Sequence, residues 1–449
     1  MENIYEFADT YYVPNNMAVI LCGDIDYENT IQIIDQNFGK LEAKELPQKE
    51  TIKEEPVNGP LETVVTGPSA ENLLLAYRFN EGAGSETEKY VSLIDMILSN
   101  SRAGLIDLNL IQQQKILAGG CSPYFLKDYG MHFFFGRPRE GQSLEEVRDL
   151  MLAEIEKVKR GEFEDWMLEA VINNLKLNRL RQQESNQRNA FTYMQSFVNE
   201  VPYKDYLKYL DELEKITKED IVEFANKHFK DNYAIVYKKS GPNDKLVKVS
   251  KPEITPVNIN REDQSDFFKE FTSKQPEALE PIFIDFDEKI SKIELDNGLE
   301  LDYIQNPTNE IFTLRYIVDM GKKHNLKLPL AVNYLPYLGT DKYSPAELQQ
   351  EFYKIGISTG VSTSDNRTFI YISGLESNLE EGIELFEHLL ANVEPNQQAY
   401  KNYVEGILKD RKDQKLNQNT ILWGGMFNYG KYGPESMFTT IIPEKELKS

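Results

Sequence analysis

Apolar positions along this chain alternate between a period of two and a period of three to four residues, and the switches outline its elements. The β-branched run NNMAVILCGDID predicts a strand ending at Gly23, and YENTIQIIDQNFGK then predicts a helix closed by Gly39. After the Pro- and Glu-rich ELPQKETIKEEPVNGP, strands are expected at LETVVT and ENLLLAYRF, followed by helices near 86–99 and 104–117. SPYFLKDYGMHFFFGRP predicts a strand pair turning at Asp128 to Gly130. Long helices are expected at 143–159 and 163–200, another in TKEDIVEFANKHF, and then the strand NYAIVYKK. Such a mixture is α+β.

Residues 241–290 break this pattern. They carry Pro252, Pro256, Pro276 and Pro281 among scattered charge, with one short helical stretch near SDFFKEF. A segment this long without regular elements reads as an interdomain linker rather than a loop. The next domain opens on KIELDNGLELDYI, where Asn297-Gly298 signals a type I′ hairpin turn. The expected division is a domain over 1–240, a linker over 241–290 and a second domain over 291–449.

Laid side by side, the two domains repeat each other. LLLAYRF, a helix, LNLIQQQKILAGG, HFFFG and SLEEVRDLMLAEIEKV recur in order as TLRYIVDMG, a helix, ELQQEFYKIG, FIYISG and NLEEGIELFEHLLANV. The fold expected is therefore an internal duplication of one α/β sandwich-like domain, an antiparallel-rich sheet with packed helices.

Composition narrows the function classes. A chain of 449 residues is long enough for two or more cores, and 40% hydrophobic residues can fill them. The formal charge of −23 would repel phosphate backbones and anionic lipid, which argues against nucleic acid and membrane surfaces as partners. No run approaches the length of a membrane span, and the start MENIYEFADT has no basic region followed by an apolar one. Cys22 and Cys121 are far apart and form no C-x-x-C pair, so both read as small core residues. The four histidines, His132, His228, His324 and His388, form no local ligand pair. Phosphate-loop and G-x-S-x-G patterns do not occur.

One stretch looks like metal chemistry. E-L-F-E-H, Glu384 to His388, is one substitution from H-x-x-E-H, in which two histidines one helical turn apart bind zinc and the glutamate acts as general base. Alignment on the shared L-E-E of the repeat sets Glu384 against Asp149, Glu387 against Leu152 and His388 against Ala153. Leu379, Ile383, Phe386 and Leu390 define the expected buried stripe, which leaves Glu384 and His388 on a solvated face. The near-match reads as a supporting helix.

Three stretches carry a resemblance to a known family: YYVPNNMAVILCGDID with its following helix, ITKEDIVEFANKHF with NYAIVYKK, and GTDKYSPAELQQEFYKIGISTGVSTSDNRTFIYISGL. In their order they resemble the pitrilysin/insulinase-type zinc metallopeptidases, which include bacterial processing peptidases and core subunits of mitochondrial respiratory complexes. The resemblance implies two-domain halves that close around a chamber. It places this chain as the second domain of the first half and the first domain of the second, with the working zinc motif upstream. The family register puts a second-half motif just before Gly339-Thr340, where this chain has Leu330, Asn333 and Tyr334. Leucine has no lone pair for a metal, and an amide cannot accept the proton of the attacking water. The implied third ligand falls in YKNYVEGILKDRKDQ, nearest Asp410 and more loosely Glu405.

No catalytic residue and no cofactor are therefore expected in this chain, with zinc expected in the missing upstream domain. The implied function is a non-catalytic section of a chambered zinc metalloendopeptidase acting on small unfolded peptides, forming chamber wall and substrate support. The alternative is a structural or partner subunit of the same fold, inactive in every half. Partners implied are a peptide substrate and a motif-bearing domain, in cis or on a separate chain; the resemblance fits bacterial cytoplasm or periplasm. No substrate-binding residue can be transferred.

Overall fold

A computed structural model describes residues 2–48, 52–243, 249–251, 253, 261–276, 278, 280–436 and 439–449. Pro252 and Pro256 of the expected linker lie outside the described residues. The chain forms two compact units, one of residues 1–242 with 308–449 and one of residues 243–307.

The first unit begins with helices Glu2–Tyr11 (α1) and Tyr27–Phe38 (α2), neither of which buries a residue. The Asp26 carboxylate caps α2 by accepting from Asn29 N at 2.7 Å. The strand expected at NNMAVIL does not form: residues 17–22 belong to no sheet among the described residues, and Met17, Val19 and Leu21 are exposed. Alternating apolar residues make a strand only where a neighbour completes the ladder, and here none lies beside them.

Next comes a five-stranded sheet of Leu61–Gly67 (β1), Asn72–Phe79 (β2), Ala118–Phe125 (β3), Gly130–Arg137 (β4) and Tyr233–Ser240 (β5). Its order is β1-β5-β2-β4-β3, with β1 parallel to β5 and the other pairs antiparallel. Leu73, Leu75, Tyr77 and Phe79 alternate inward along β2, opposite His132 and Phe134 of β4. Helices Glu86–Leu98 (α3) and Leu144–Lys159 (α4) cover this face. Ser85 caps α3, and Ser143 with Glu146 forms a capping box on α4. Gly119 and Gly136 let α4 approach the sheet, because a Cβ there would meet Met151 Cε at 2.4 Å and Val147 Cγ1 at 2.5 Å respectively.

The helix expected over 104–117 is a shorter π-helical stretch, Asp107–Gln112, ended by Gln114 at φ 54°. The helix expected over 163–200 is two, Trp166–Gln183 (α5) and Asn186–Val198 (α6). The break falls where Ser185 turns its hydroxyl to accept from Arg188 N, a cap that competes with helix continuation. Tyr203–Leu213 (α7) and Lys218–His228 (α8) complete this part, α8 on the Thr217/Asp220 capping box.

The second unit holds two short helices, Asp266–Ser273 (α9) and Phe286–Lys289 (α10), and the hairpin Ser291–Glu294 (β6) with Glu300–Tyr303 (β7). The hairpin forms where expected, but its turn is not type I′. Gly298 alone takes positive φ, 80°, after a turn closed by Gly298 N to Leu295 O at 2.8 Å. A longer loop of this kind places one left-handed glycine where a two-residue I′ turn would need two such residues.

The chain then returns to the first unit with Ile311–Val318 (β8), Lys327–Tyr334 (α11), Gly339–Thr340 (β9), Pro345–Lys354 (α12), Ser358–Thr363 (β10), Thr368–Leu375 (β11), Leu379–Asn392 (α13), Val393–Glu394 (β12) and Gln397–Gln414 (α14). The Ser344/Glu347 capping box with Pro345 at the first position of α12 forms as the sequence predicts. Strands β10-β11-β8 are antiparallel in that order. This reproduces β3-β4-β2 element for element, so the repeat in the sequence is a repeat in the sheet. Leu348, Phe352, Ile372 and Phe386 form its core.

Candidate functional site

Helix α11 carries the three positions where the family register expects a metal motif. Leu330 packs with Val404, Ile442 and Leu447 in a small apolar cluster. Asn333 is exposed. Tyr334 exchanges hydrogen bonds with the backbone of Asn396, receiving from its N at 3.2 Å and donating to its O. Its ring lies parallel to Tyr403 at 5.9 Å and edge-on to Tyr400 at 5.4 Å. Burial, with Tyr337 and Tyr400 nearby, pushes the Tyr403 hydroxyl up to about 12. Leu330 and Tyr334 are thus held in aliphatic and aromatic packing.

The acids of α14 have other partners. Arg137 Nη2 lies 2.8 Å from Asp410 Oδ1 and 3.1 Å from Asp413 Oδ2. Asp413, 8% exposed at its side chain, also pairs with Lys409 Nζ at 2.5 Å. Arg139 donates to Gln114 O at 2.8 Å and Asn402 O at 3.0 Å, and reaches Glu405 Oε2 at 3.4 Å. Both carboxylates named for a third ligand thus face arginines from the end of β4 and the residues after it. Arg102 does similar work elsewhere, donating to Ile357 O at 3.3 Å and Thr359 O at 3.1 Å. Arginine suits this task because its planar fork satisfies two acceptors while staying charged. Sequence reading missed these three arginines; the charged pair in G-R-P-R, just past a strand whose neighbours are apolar, was the available signal.

The near-match on α13 is placed differently from expectation. Glu384 and Glu387 are exposed. His388 does not stand in solvent: its Nε2 lies 2.9 Å from Thr340 Oγ1 and 3.5 Å from Asp341 Oδ1, and its ring meets Tyr343 edge-on at 5.8 Å. The buried stripe runs through Gly382, Phe386 and Leu389, so His388 sits at its border and pins the β9 loop. The three residues do not converge.

Among the described residues, one group of metal-capable side chains brings its ligand atoms together, and it lies in the other repeat: Asp95, Cys121 and His132. A cleft of about 710 Å³ also opens beside α3, α6 and α7, lined by Phe125, Phe191, Tyr206 and Tyr209 with Glu88 and Arg188 at polar positions.

Comparison with known proteins adds to this geometry. Residues 1–175 match the family model described as Peptidase M16 inactive domain. A curated relative, zinc protease PqqE of Helicobacter pylori, is 22% identical over 241 residues, covering 51% of this chain and 53% of the relative. A solved protease from Helicobacter pylori superposes with a TM-score of 0.50 at 20% identity, over 53% of this chain and 59% of its own. The periplasmic protease PqqL from Escherichia coli spans all of this chain and 52% of its own, at 16% identity and a TM-score of 0.44. The chain thus spans about half the length of the curated relative it matches.

Proposed function

The chain belongs to the pitrilysin-like M16 peptidases and carries their inactive domain, and from that premise we propose that it is a non-catalytic section of a chambered zinc metalloendopeptidase. In this reading it forms chamber wall and substrate support for small unfolded peptides, while zinc and its ligands belong to a motif-bearing domain in cis or on a partner chain. The observation that carries the reading is the chemistry at the motif register: Leu330 in an apolar cluster, Asn333 in solvent and Tyr334 in aromatic packing. None of these supplies a metal ligand or a general base of the H-x-x-E-H kind. The division into domains at 1–240 and 291–449 with a linker between is part of the same proposal, as is a bacterial cytoplasmic or periplasmic location. No helix among the described residues is long and apolar enough to cross a membrane.

The uncovered segment from α1 to α2 is where the motif-bearing domain would dock. Its helices bury nothing, and Met17, Val19 and Leu21 are exposed and belong to no sheet among the described residues. The test is co-migration on gel filtration with a motif-bearing M16 chain, before and after replacing Val19 and Leu21 with lysine. The reading expects a complex that the double substitution dissolves. A motif-bearing chain that ignores the unmodified protein would count against it.

A further inference from the structure

Asp95 projects from α3 onto the sheet face where Cys121 of β3 and His132 of β4 stand diagonally across one strand pair. His132 is fully buried, with its Nε2 2.9 Å from Asp95 Oδ1. Its other ring nitrogen, Nδ1, has no hydrogen-bond partner. Cys121 Sγ points to Asp95 O at 3.6 Å, and the ligand atoms of all three residues lie within 4.8 Å of one another. The rings of Phe134, at 4.5 Å, and Phe229, at 5.7 Å, wall the imidazole. Sulfur, imidazole and carboxylate donors thus converge in a largely apolar, ring-walled place, an arrangement that a bound ion would use as a set.

We propose that Asp95, Cys121 and His132 form a site for a borderline-soft divalent cation, with zinc the ion their donors select. Sulfur and imidazole donors disfavour magnesium and calcium, which take oxygen. Charge decides among the rest. A thiolate and a carboxylate around a divalent ion sum to zero, whereas a monovalent ion would leave a net negative charge buried. Binding replaces the Cys121 S–H bond by an S–metal bond, the thiol proton leaving to solvent, with Asp95 supplying oxygen and His132 nitrogen. Zinc bonds of about 2.0–2.3 Å in a tetrahedron draw the ligand atoms inward by about 1 Å, within reach of side-chain rotation. Cys121 lies on β3, the edge strand of the sheet. The site is in the first repeat, apart from the motif register on α11, and does not depend on the peptidase reading.

Cobalt(II), added to the metal-free full chain, is the probe. The expected result is one equivalent bound, with thiolate-to-cobalt charge transfer in the near ultraviolet and a raised melting temperature. Cys121→Ser removes the charge-transfer band and weakens binding by about tenfold or more, while His388→Gln leaves both unchanged. His132→Gln weakens binding in the same way; should that variant not fold, Cys121→Ser, which keeps nearly the same volume, decides alone. A wild-type protein with no thiolate band, or a Cys121→Ser variant that retains the band, overturns the proposal and leaves an internal His–Asp hydrogen bond.

Discussion

Arg137→Ala separates the two uses a carboxylate on α14 could have. Arg137 holds Asp410, whose side chain is 45% exposed, and Asp413, which is 8% exposed. An exposed pair of the first kind contributes about 0.5 kcal/mol. The second is a charge-assisted bond to a nearly buried carboxylate, about 1.5–2 kcal/mol, and Lys409 remains to limit the damage. Arg137→Ala should therefore cost about 2 kcal/mol and Asp410→Ala only about 0.5, with a coupling of about 0.5 between them in a double-mutant cycle. Arg137→Lys should recover less than half, since both contacts come from one guanidinium nitrogen, Nη2, which a planar fork holds in place and a flexible lysine stem does not. Urea unfolding followed by the fluorescence of Trp166 and Trp423 measures these differences. Equal costs for Arg137→Ala and Asp410→Ala, or zero coupling, would refute the reasoning, because Asp410 would then owe its place to something other than the arginine.

Two further outcomes follow from the first repeat. Asp107 Oδ2 accepts from the backbone N of Asn100 at 2.7 Å, Arg102 at 3.1 Å and Gly104 at 3.2 Å, with Ser99 Oγ at 3.0 Å on Oδ1, so Asp107→Ala leaves three backbone N–H groups without their acceptor and should cost about 2–3 kcal/mol in the same urea assay. His228 is held below its ordinary value, chiefly by burial, so the native state binds fewer protons than the unfolded chain. Stability should therefore fall as pH drops through the window below the ordinary histidine value and level off above it, and His228→Phe should flatten that slope in melting curves recorded across pH.

Much of the scaffold could be read from local signals. Capping boxes at Ser143, Thr217 and Ser344 fix helix starts through side chains three residues apart, and the β3–β4 pair follows from alternation around one turn. The duplication was legible because each element repeats in order. What escaped was set at long range. Residues 17–22 have a strand's pattern without a neighbour, so propensity alone misled. His388 lies one position from the buried Leu389, and a stripe rotated by that much changes it from solvated to packed. Arg137 meets α14 across some 270 residues, and His132 meets Asp95 across 37, distances at which spacing rules for ligand pairs carry no information. The positions Leu330, Asn333 and Tyr334 were legible only through family register; the structure adds that Leu330 sits in an apolar cluster and Tyr334 among aromatic rings, while Asn333 is exposed.

The most direct test of the central claim is hydrolysis of a quenched fluorescent peptide by this chain, zinc-loaded, alone and then mixed with a motif-bearing M16 chain. The account predicts no turnover by the chain alone and a rise in turnover above that of the partner alone when the two are combined. Turnover by this chain alone that survives purification and is abolished by a chelator would contradict it.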